Sequence, residues 1–419
     1  MGQTKRVSNV IEEREDIVPV LFSGDIGIYA LGREFHEAFG VRSVCVTPAA
    51  IGAIENSKIF TVHTVKELNR DTIREAVRQI AEAYPTKKLF LICNADRIVG
   101  LISEMLDELP DNVIACVPPA DAVRRLSDKV EFAEACQRHG LEVAQQEVVN
   151  VGTCDPAAPT KIPFPLVAKP AVSSEYVFYI AKGFNKVYYV QSQEELTQIL
   201  TDLKAAGFTG TFLIQELIEG DDSYMDSITI YVDSKGKARM FGSARVLLED
   251  HAPTMLGNPV AMITQQVDEL WRRAGEMLEA EGYHGFANFD IKRDPKNGRF
   301  VFLELNPRIG RNSYYNCAGG VNPMRVAVSD LVDGVELERE VVEDEILYTL
   351  IPIPLLMRYV RDKDVRKQVR RLVRERKVYD PQRYAYDNGF KRMLDVNLTE
   401  ANQILKFARY YPKPTDTSF

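Results

Sequence analysis

Residues 286–313 read FANFDIKRDPKNGRFVFLELNPRIGRNS, and the rest of the chain is best read outward from them. DPKNG is a strong hairpin signal between two apolar-rich strands. If Lys296-Asn297-Gly298 forms a three-residue loop with Gly298 left-handed, Pro295 faces Arg299 and Asp290 falls opposite Glu304. Glu304 and Asn306, two apart on one strand, project to the same face. Two carboxylates and an amide oxygen therefore converge among Phe289, Ile291, Leu303 and Leu305. Carboxylates in apolar company are costly unless something positive compensates them. Hard oxygen donors gathered in this way suit Mg²⁺, above all Mg²⁺ that already holds phosphate. A solvent-facing polar stripe is the plainer alternative, and the apolar neighbours argue against it.

At 419 residues, 45% apolar and 27% charged, the chain fits a soluble globular protein of two or three domains. Its net charge of -8 argues against general nucleic-acid binding, which uses a basic face. No apolar run approaches the roughly 20 residues of a bilayer span, and MGQTKRVSNVIEERED has no signal-peptide core. Gly2 begins a myristoylation pattern that Arg6 breaks. The cysteines (Cys45, Cys93, Cys116, Cys136, Cys154, Cys317) form no C-x-x-C pair, and the histidines show no metal-cluster spacing. Reduced core thiols and a cytoplasmic location are expected.

IVPVLF (17–22), VRSVCVTP (41–48), KLFLIC (88–93) and NVIACV (112–117) alternate with helical stretches such as REAVRQIAEAY. This predicts a doubly wound, mostly parallel α/β sheet within residues 1–125. SGDIG, after the first strand, is not G-x-G-x-x-G, which removes a dinucleotide fingerprint. It reads either as a structural turn or as one whose amides, around Ser23 and Gly24, hold a carboxylate. An α+β domain is expected over 126–335. It opens with a helix that has Asp128 and Glu131 at capping-box spacing and Gly140 at its end. PLVAKP, YVFYI and KVYYV then read as antiparallel strands, followed by a helix over 193–206. DSITIYVD and ARMFGSARVLLED are two long strands before a helix around Trp271. Residues 336–419 form a charged, helical extension.

Lys169 interrupts the apolar PLVAKP strand and Lys129 opens the helix after Asp128; either alone reads as an edge-strand or surface lysine. QELIEGDD (215–222) is a hinge that could present backbone polar groups to a purine, with a carboxylate after its glycine. The order along the chain (Lys, Lys, hinge, Asp, E-x-N) resembles the ATP-grasp superfamily, with ELNPRIGRNS its most specific part. Within that superfamily, VLFSGDIGIYALGREFHEAFG, KPAVSSEY, IQELIEGDDSYM, VLLEDHAPTMLGN and the 286–313 stretch resemble the D-aspartate ligase group of carboxylate–amine ligases. The resemblance implies an ATP-grasp fold: an N-terminal Rossmann-like pre-grasp domain, two grasp lobes hinged near 215–218, and the C-terminal extension. It implies ATP and Mg²⁺ as cofactors. By it, Lys129 and Lys169 bind the phosphates under a loop containing Ser173 and Ser174. Gln215, Glu216 and Ile218 line the adenine slot, and Asp222 takes the ribose. Asp290, Glu304 and Asn306 hold Mg²⁺, with Arg308 and Arg311 beside Lys169 at the transferred phosphoryl. Two departures stand out. AVSSEY lacks the glycines usual in the phosphate-covering loop, and Asp222 stands where many members use Glu.

Such ligases move a γ-phosphoryl onto a carboxylate, and an amine then displaces phosphate; that chemistry needs positioning and charge neutralisation rather than a Ser or Cys nucleophile. The resemblance implies D-aspartate or a related amino acid as donor and an amine of a peptidoglycan precursor as acceptor. The alternatives are a small dipeptide, a carbamoyl-type product, or a non-catalytic nucleotide-binding protein. An acidic donor needs cations beyond the phosphate set. Arg245 and Arg311 are the candidates, with the Ser23–Gly24 turn, although Arg245 reads equally as an ion-pair partner of Glu249 or Asp250. In 357–377, ten Lys or Arg stand against three Asp or Glu, and Val365, Val369, Leu372 and Val373 recur at helical spacing. That helix either packs on the grasp domain with a solvated basic face, or makes weak peripheral contact with anionic lipid or precursor. A homo-oligomer is compatible with the sequence.

Overall fold

Three sheets organise residues 11–253 and 255–415, the part of the chain that this computed structural model describes. The N-terminal strands Ile17–Phe22, Ser43–Thr47 and Lys88–Cys93 are apolar almost throughout, as strands covered on both faces must be. With Phe60–Thr64 and Val113–Ala115 they form a five-stranded, wholly parallel sheet. The Phe60–Thr64 strand escapes the sequence reading because this edge strand, FTVHT, is half polar. Chain order reverses between Ile17–Phe22 and Lys88–Cys93, which lie side by side. Ligands of such sheets bind outside the carboxyl ends at that switch point. Asp25 caps the helix that follows the first of these strands, and Asp96 opens the helix that follows the second.

A small antiparallel sheet follows, in the order Gln146–Asn150, Thr211–Glu216, Leu166–Pro170, Tyr188–Val190. The expected strand YVFYI is instead part of the helix Ser173–Ala181. Its aromatic and β-branched run mimics a strand, but the spacing is helical. Tyr176 and Tyr179, three apart, pack on Phe208, while Val177, Phe178 and Ile180 face outward.

The central sheet runs Phe300–Asn306, Gly285–Arg293, Met225–Val232, Ala238–Glu249, Pro259–Thr264, Leu347–Thr349, Val378–Tyr379, with Glu340–Val341 beside Ala238–Glu249. Three of these strands come from beyond residue 335, so the extension completes the sheet as well as adding helices. It is also tied to the first domain. The buried Asp387 carboxylate pairs with buried Arg392 at 3.0 Å and accepts from Tyr29 Oη, Ser57 Oγ and the Lys58 amide.

The basic helix Lys363–Arg374 buries Val365, Val369 and Leu372 against the Leu347–Thr349 region, whereas Val373 is exposed. Arg366 donates to the Met357 and Val360 carbonyls, Lys367 pairs with Asp364, and Arg371 with Glu345. Packing thus fixes its apolar face, and these contacts hold part of its basic one. The six cysteines are free, four of them buried. Among the described residues no helix is long and apolar enough to cross a membrane. The Gly2–Arg6 pattern lies outside the described residues.

Candidate active site

Asp290 pairs directly with Glu304, and Asn288 with Asn306. The register is the expected one, reached by two offsetting departures. Asp294, not Pro295, closes the loop on Arg299, and Gly298 is left-handed at φ +75. One residue earlier in the loop would shift the pair, but a bulge at Leu303 restores it. Phe289, Ile291 and Leu305 point into the core on one face, leaving Asp290, Glu304 and Asn306 together on the other. Asn306 Nδ2 donates to Asp290 Oδ2 at 3.0 Å.

Two lysines, Lys129 and Lys169, face this pair. Lys129 is the first residue of the helix Lys129–Arg138, where a positive charge opposes the helix dipole. Asp128 caps that helix through the Val130 and Glu131 amides, while Glu131 pairs with Arg124 rather than completing the box. The lysine is 8% exposed, with Nζ 3.4 Å from Glu304 Oε2. Lys169 alternates with the core residues Leu166 and Ala168, which turns it to the cleft. Burial, then Lys129 and Lys186, push its ammonium down to about 8 against the pull of Glu304. Burial would raise the Glu304 carboxyl, but Lys129, Lys169 and Lys186 together hold it below the usual range. Asp290 moves the other way, raised by burial and by Glu304, with Arg308 opposing.

Among the described residues no three His, Cys, Asp or Glu side chains form a self-sufficient metal cage. Two carboxylates and an amide instead fit Mg²⁺, which takes most of its ligands from phosphate and water. The raised Asp290, facing a second carboxylate, is the group a cation would relieve.

At the hinge, Gln215 is buried and bonded to Gln146, on the same face of the small sheet as Lys169. Ile218 packs with Ala144, Val301 and Leu303, an apolar patch adjoining Glu304. Glu216 spends its carboxylate on Arg299 and the Gln145 amide, so any contact it makes with a purine is through its backbone. Asp222 is buried; its Oδ2 accepts from the Glu249 amide and meets His251 Nε2 at 2.9 Å, while Oδ1 has no hydrogen-bond partner among the described residues. Ser173 and Ser174 open their helix, and their side chains lie outside the described residues.

The two arginines of the ELNPRIGRNS segment reach the switch point of the parallel sheet. Arg308 Nε lies 3.2 Å from Asp96, and Arg311 Nε 2.8 Å from Asp25. A Cβ on Gly27 would strike Asn94 Nδ2 and Arg311 Cγ, so that glycine makes room for the second contact. The Ser23–Gly24 turn is distorted, with Ser23 at φ +98. Its Ser23 amide is spent on the Val46 carbonyl, and Asp25 caps the following helix at the Ile28 amide. The Ser23 amide is thus not open to an anion, and Arg311 is the cation that lies beside this turn.

Arg245 is not brought to this site. It sits across from Asp226 on the face that carries Phe241 and Ile291, and it donates to the Ser223 carbonyl. The cleft face of those strands is Ser227 and Ala244, in line with Asp290. Neither Glu249 nor Asp250 is its partner: Glu249 looks into the cleft and Asp250 pairs with Lys406. The structure adds residues that the sequence reading passed over. Lys186 acts on Lys169, Glu304 and Glu249, and Lys292 on Glu249 and Asp222. Glu249 is raised to about 8 by burial and by Asp222 and Asp290.

No family model matches the chain. It is 29% identical over 413 residues to the D-aspartate ligase of Enterococcus faecium, covering 95% of this chain and 98% of that one. Among solved structures, it superposes on the Campylobacter jejuni biotin carboxylase in a beta-gamma-ATP complex with a TM-score of 0.56 and 17% identity, over 76% of this chain and 71% of that one. The biotin carboxylase domain of Hydrogenobacter thermophilus 2-oxoglutarate carboxylase, holding MgADP and bicarbonate, gives 0.56 and 15%, over 79% and 73%. Both likenesses are of fold.

Proposed function

We propose that the chain, which resembles D-aspartate ligase over nearly its whole length and shares its fold with ATP-bound carboxylases, is an ATP-grasp ligase that activates a carboxylate of D-aspartate, or of a related amino acid, for amide formation with an amine of a cell-wall precursor. The observation that carries the proposal is the gathering of Asp290, Glu304 and Asn306 on one face, with Lys129 against Glu304 and Lys169 turned to the same cleft. Mg²⁺ held by the first three would draw charge from the β- and γ-phosphates of ATP. The lysines neutralise the polyphosphate and hold it in line, and Arg308 faces the charge that develops on the transferred phosphoryl.

A donor carboxylate oxygen attacks the γ-phosphorus, and the bond to the bridging oxygen breaks to leave ADP. The acceptor nitrogen then attacks the acyl carbon, phosphate departs, and the nitrogen gives up a proton. Arg311 and Asp25, an ion pair beside the parallel strands' carboxyl ends, offer opposite charges to the carboxylate and ammonium of a zwitterionic donor. The reaction belongs in the cytoplasm, where ATP is.

The test is ADP release with D-aspartate, L-aspartate and other amino acids, each with and without a peptide-amine acceptor, and mass measurement of the product. ADP release that needs both an amino acid and an amine, with a product heavier than the acceptor by one residue, is expected. A dipeptide or a carbamoyl-type product would replace this reading, and amine-independent behaviour with no product would leave only a nucleotide binder.

A further inference from the structure

The helix Phe390–Tyr410 has a buried side and an exposed, apolar one. One faces the protein through Arg392, Val396, Gln403 and Phe407. On the other, Phe390, Leu394, Leu398, Ile404 and Leu405 are 88, 49, 59, 45 and 68% exposed, with Ala401 and Ala408 exposed beside them. At 3.6 residues per turn the second stripe centres roughly 180° from the first, pointing away from the body. These side chains leave on the order of 500 Å² of apolar surface open on one helix, at the upper end of what a monomer ordinarily carries.

We propose that this stripe is the interface with a second copy of the chain, formed by antiparallel pairing of the two helices. Leu394, Leu398, Ala401, Leu405 and Ala408 follow the alternating four- and three-residue spacing of a coiled-coil seam. A two-fold axis between Thr399 and Glu400 seats Leu394 on the partner's Leu405 and Leu398 on the partner's Ala401, large against small in each central layer. The same register brings Asp395 to the partner's Asn402 and Asn397 to the partner's Ile404, so no like charges meet at its flanks. A two-fold contact is self-complementary, as one helix repeated must be. The two stripes together remove about 1,000 Å², the lower bound for a specific interface.

Light scattering during size exclusion, over a dilution series, tests this. The wild-type chain should run at twice the 47.3 kDa of one copy. Leu398→Glu/Leu405→Glu should halve that mass while leaving circular dichroism and ADP release unchanged. Mixing Leu394→Cys with Leu405→Cys chains should give a covalent dimer under mild oxidation that neither chain gives alone. A wild-type monomer at every concentration overturns the proposal, as does a dimer that persists in the double-glutamate variant. A monomer that sediments with phosphatidylcholine vesicles, and stops doing so in that variant, would assign the stripe to lipid instead.

Discussion

Tyr411, at the end of that helix, stacks on His251 with ring centroids 3.6 Å apart and planes 3° from parallel. His251 in turn meets Asp222, whose other oxygen is buried with no hydrogen-bond partner among the described residues. If a ribose hydroxyl donates to that oxygen, the C-terminal tail tunes nucleotide affinity through the imidazole. Removing the ring in Tyr411→Ala forfeits a stack worth about 1 kcal/mol and frees His251 to turn. The expected result is about a fivefold rise in the KM for ATP, 1 kcal/mol expressed as affinity. Turnover at saturating ATP and the KM for the amino acid should stay near wild type. Tyr411→Phe keeps the stack and should behave as wild type, although it loses the hydroxyl that accepts from the Thr415 amide. The assay is steady-state ADP release against ATP at saturating donor and acceptor, with Asp222→Asn run in parallel. An unchanged ATP KM in Tyr411→Ala, beside a raised one in Asp222→Asn, would refute the coupling. No change in either would remove Asp222 from the ribose site.

Glu304→Gln should cut ADP release by about 10²-fold or more without unfolding the protein, because the metal-facing carboxylate goes while its volume stays; near-normal release by the folded variant would sink the metal assignment. In the proposed site Lys169 would bind phosphate in its charged form, and burial beside Lys129 lowers its pKa to about 8. ATP affinity should therefore be greatest below pH 8 and fall about tenfold per unit above it. Lys169→Arg, charged throughout, should flatten that profile, and a flat wild-type profile from pH 7 to 9 would count against the role. Arg392→Met strands the buried Asp387 and should cost about 3–5 kcal/mol in denaturant unfolding; a loss under about 1 kcal/mol would mean the extension is not anchored through this pair.

Lys129 and Lys169 were legible because each breaks a local rule. A lysine at a helix start opposes the dipole, and a lysine within an apolar strand is costly to bury. Lys186 and Lys292 break none, lying where charges are common, so only the folded cleft picks them out. The hairpin was read in the right register for an incomplete reason, since a loop one residue longer was offset by a bulge that nothing in VFLEL announces. The Ser173–Ala181 helix was hidden by its composition, which suits a strand, although Tyr176 and Tyr179 already stood at helical spacing. Arg245 was chosen for its charge alone. Residue spacing could have excluded it: Arg245 lies four residues from Phe241 on one unbroken stretch of strand, so both point to the same face. Phe241 belongs with Trp271 in the core. A cation on the core side of that sheet cannot reach a donor bound on the other, whatever its charge.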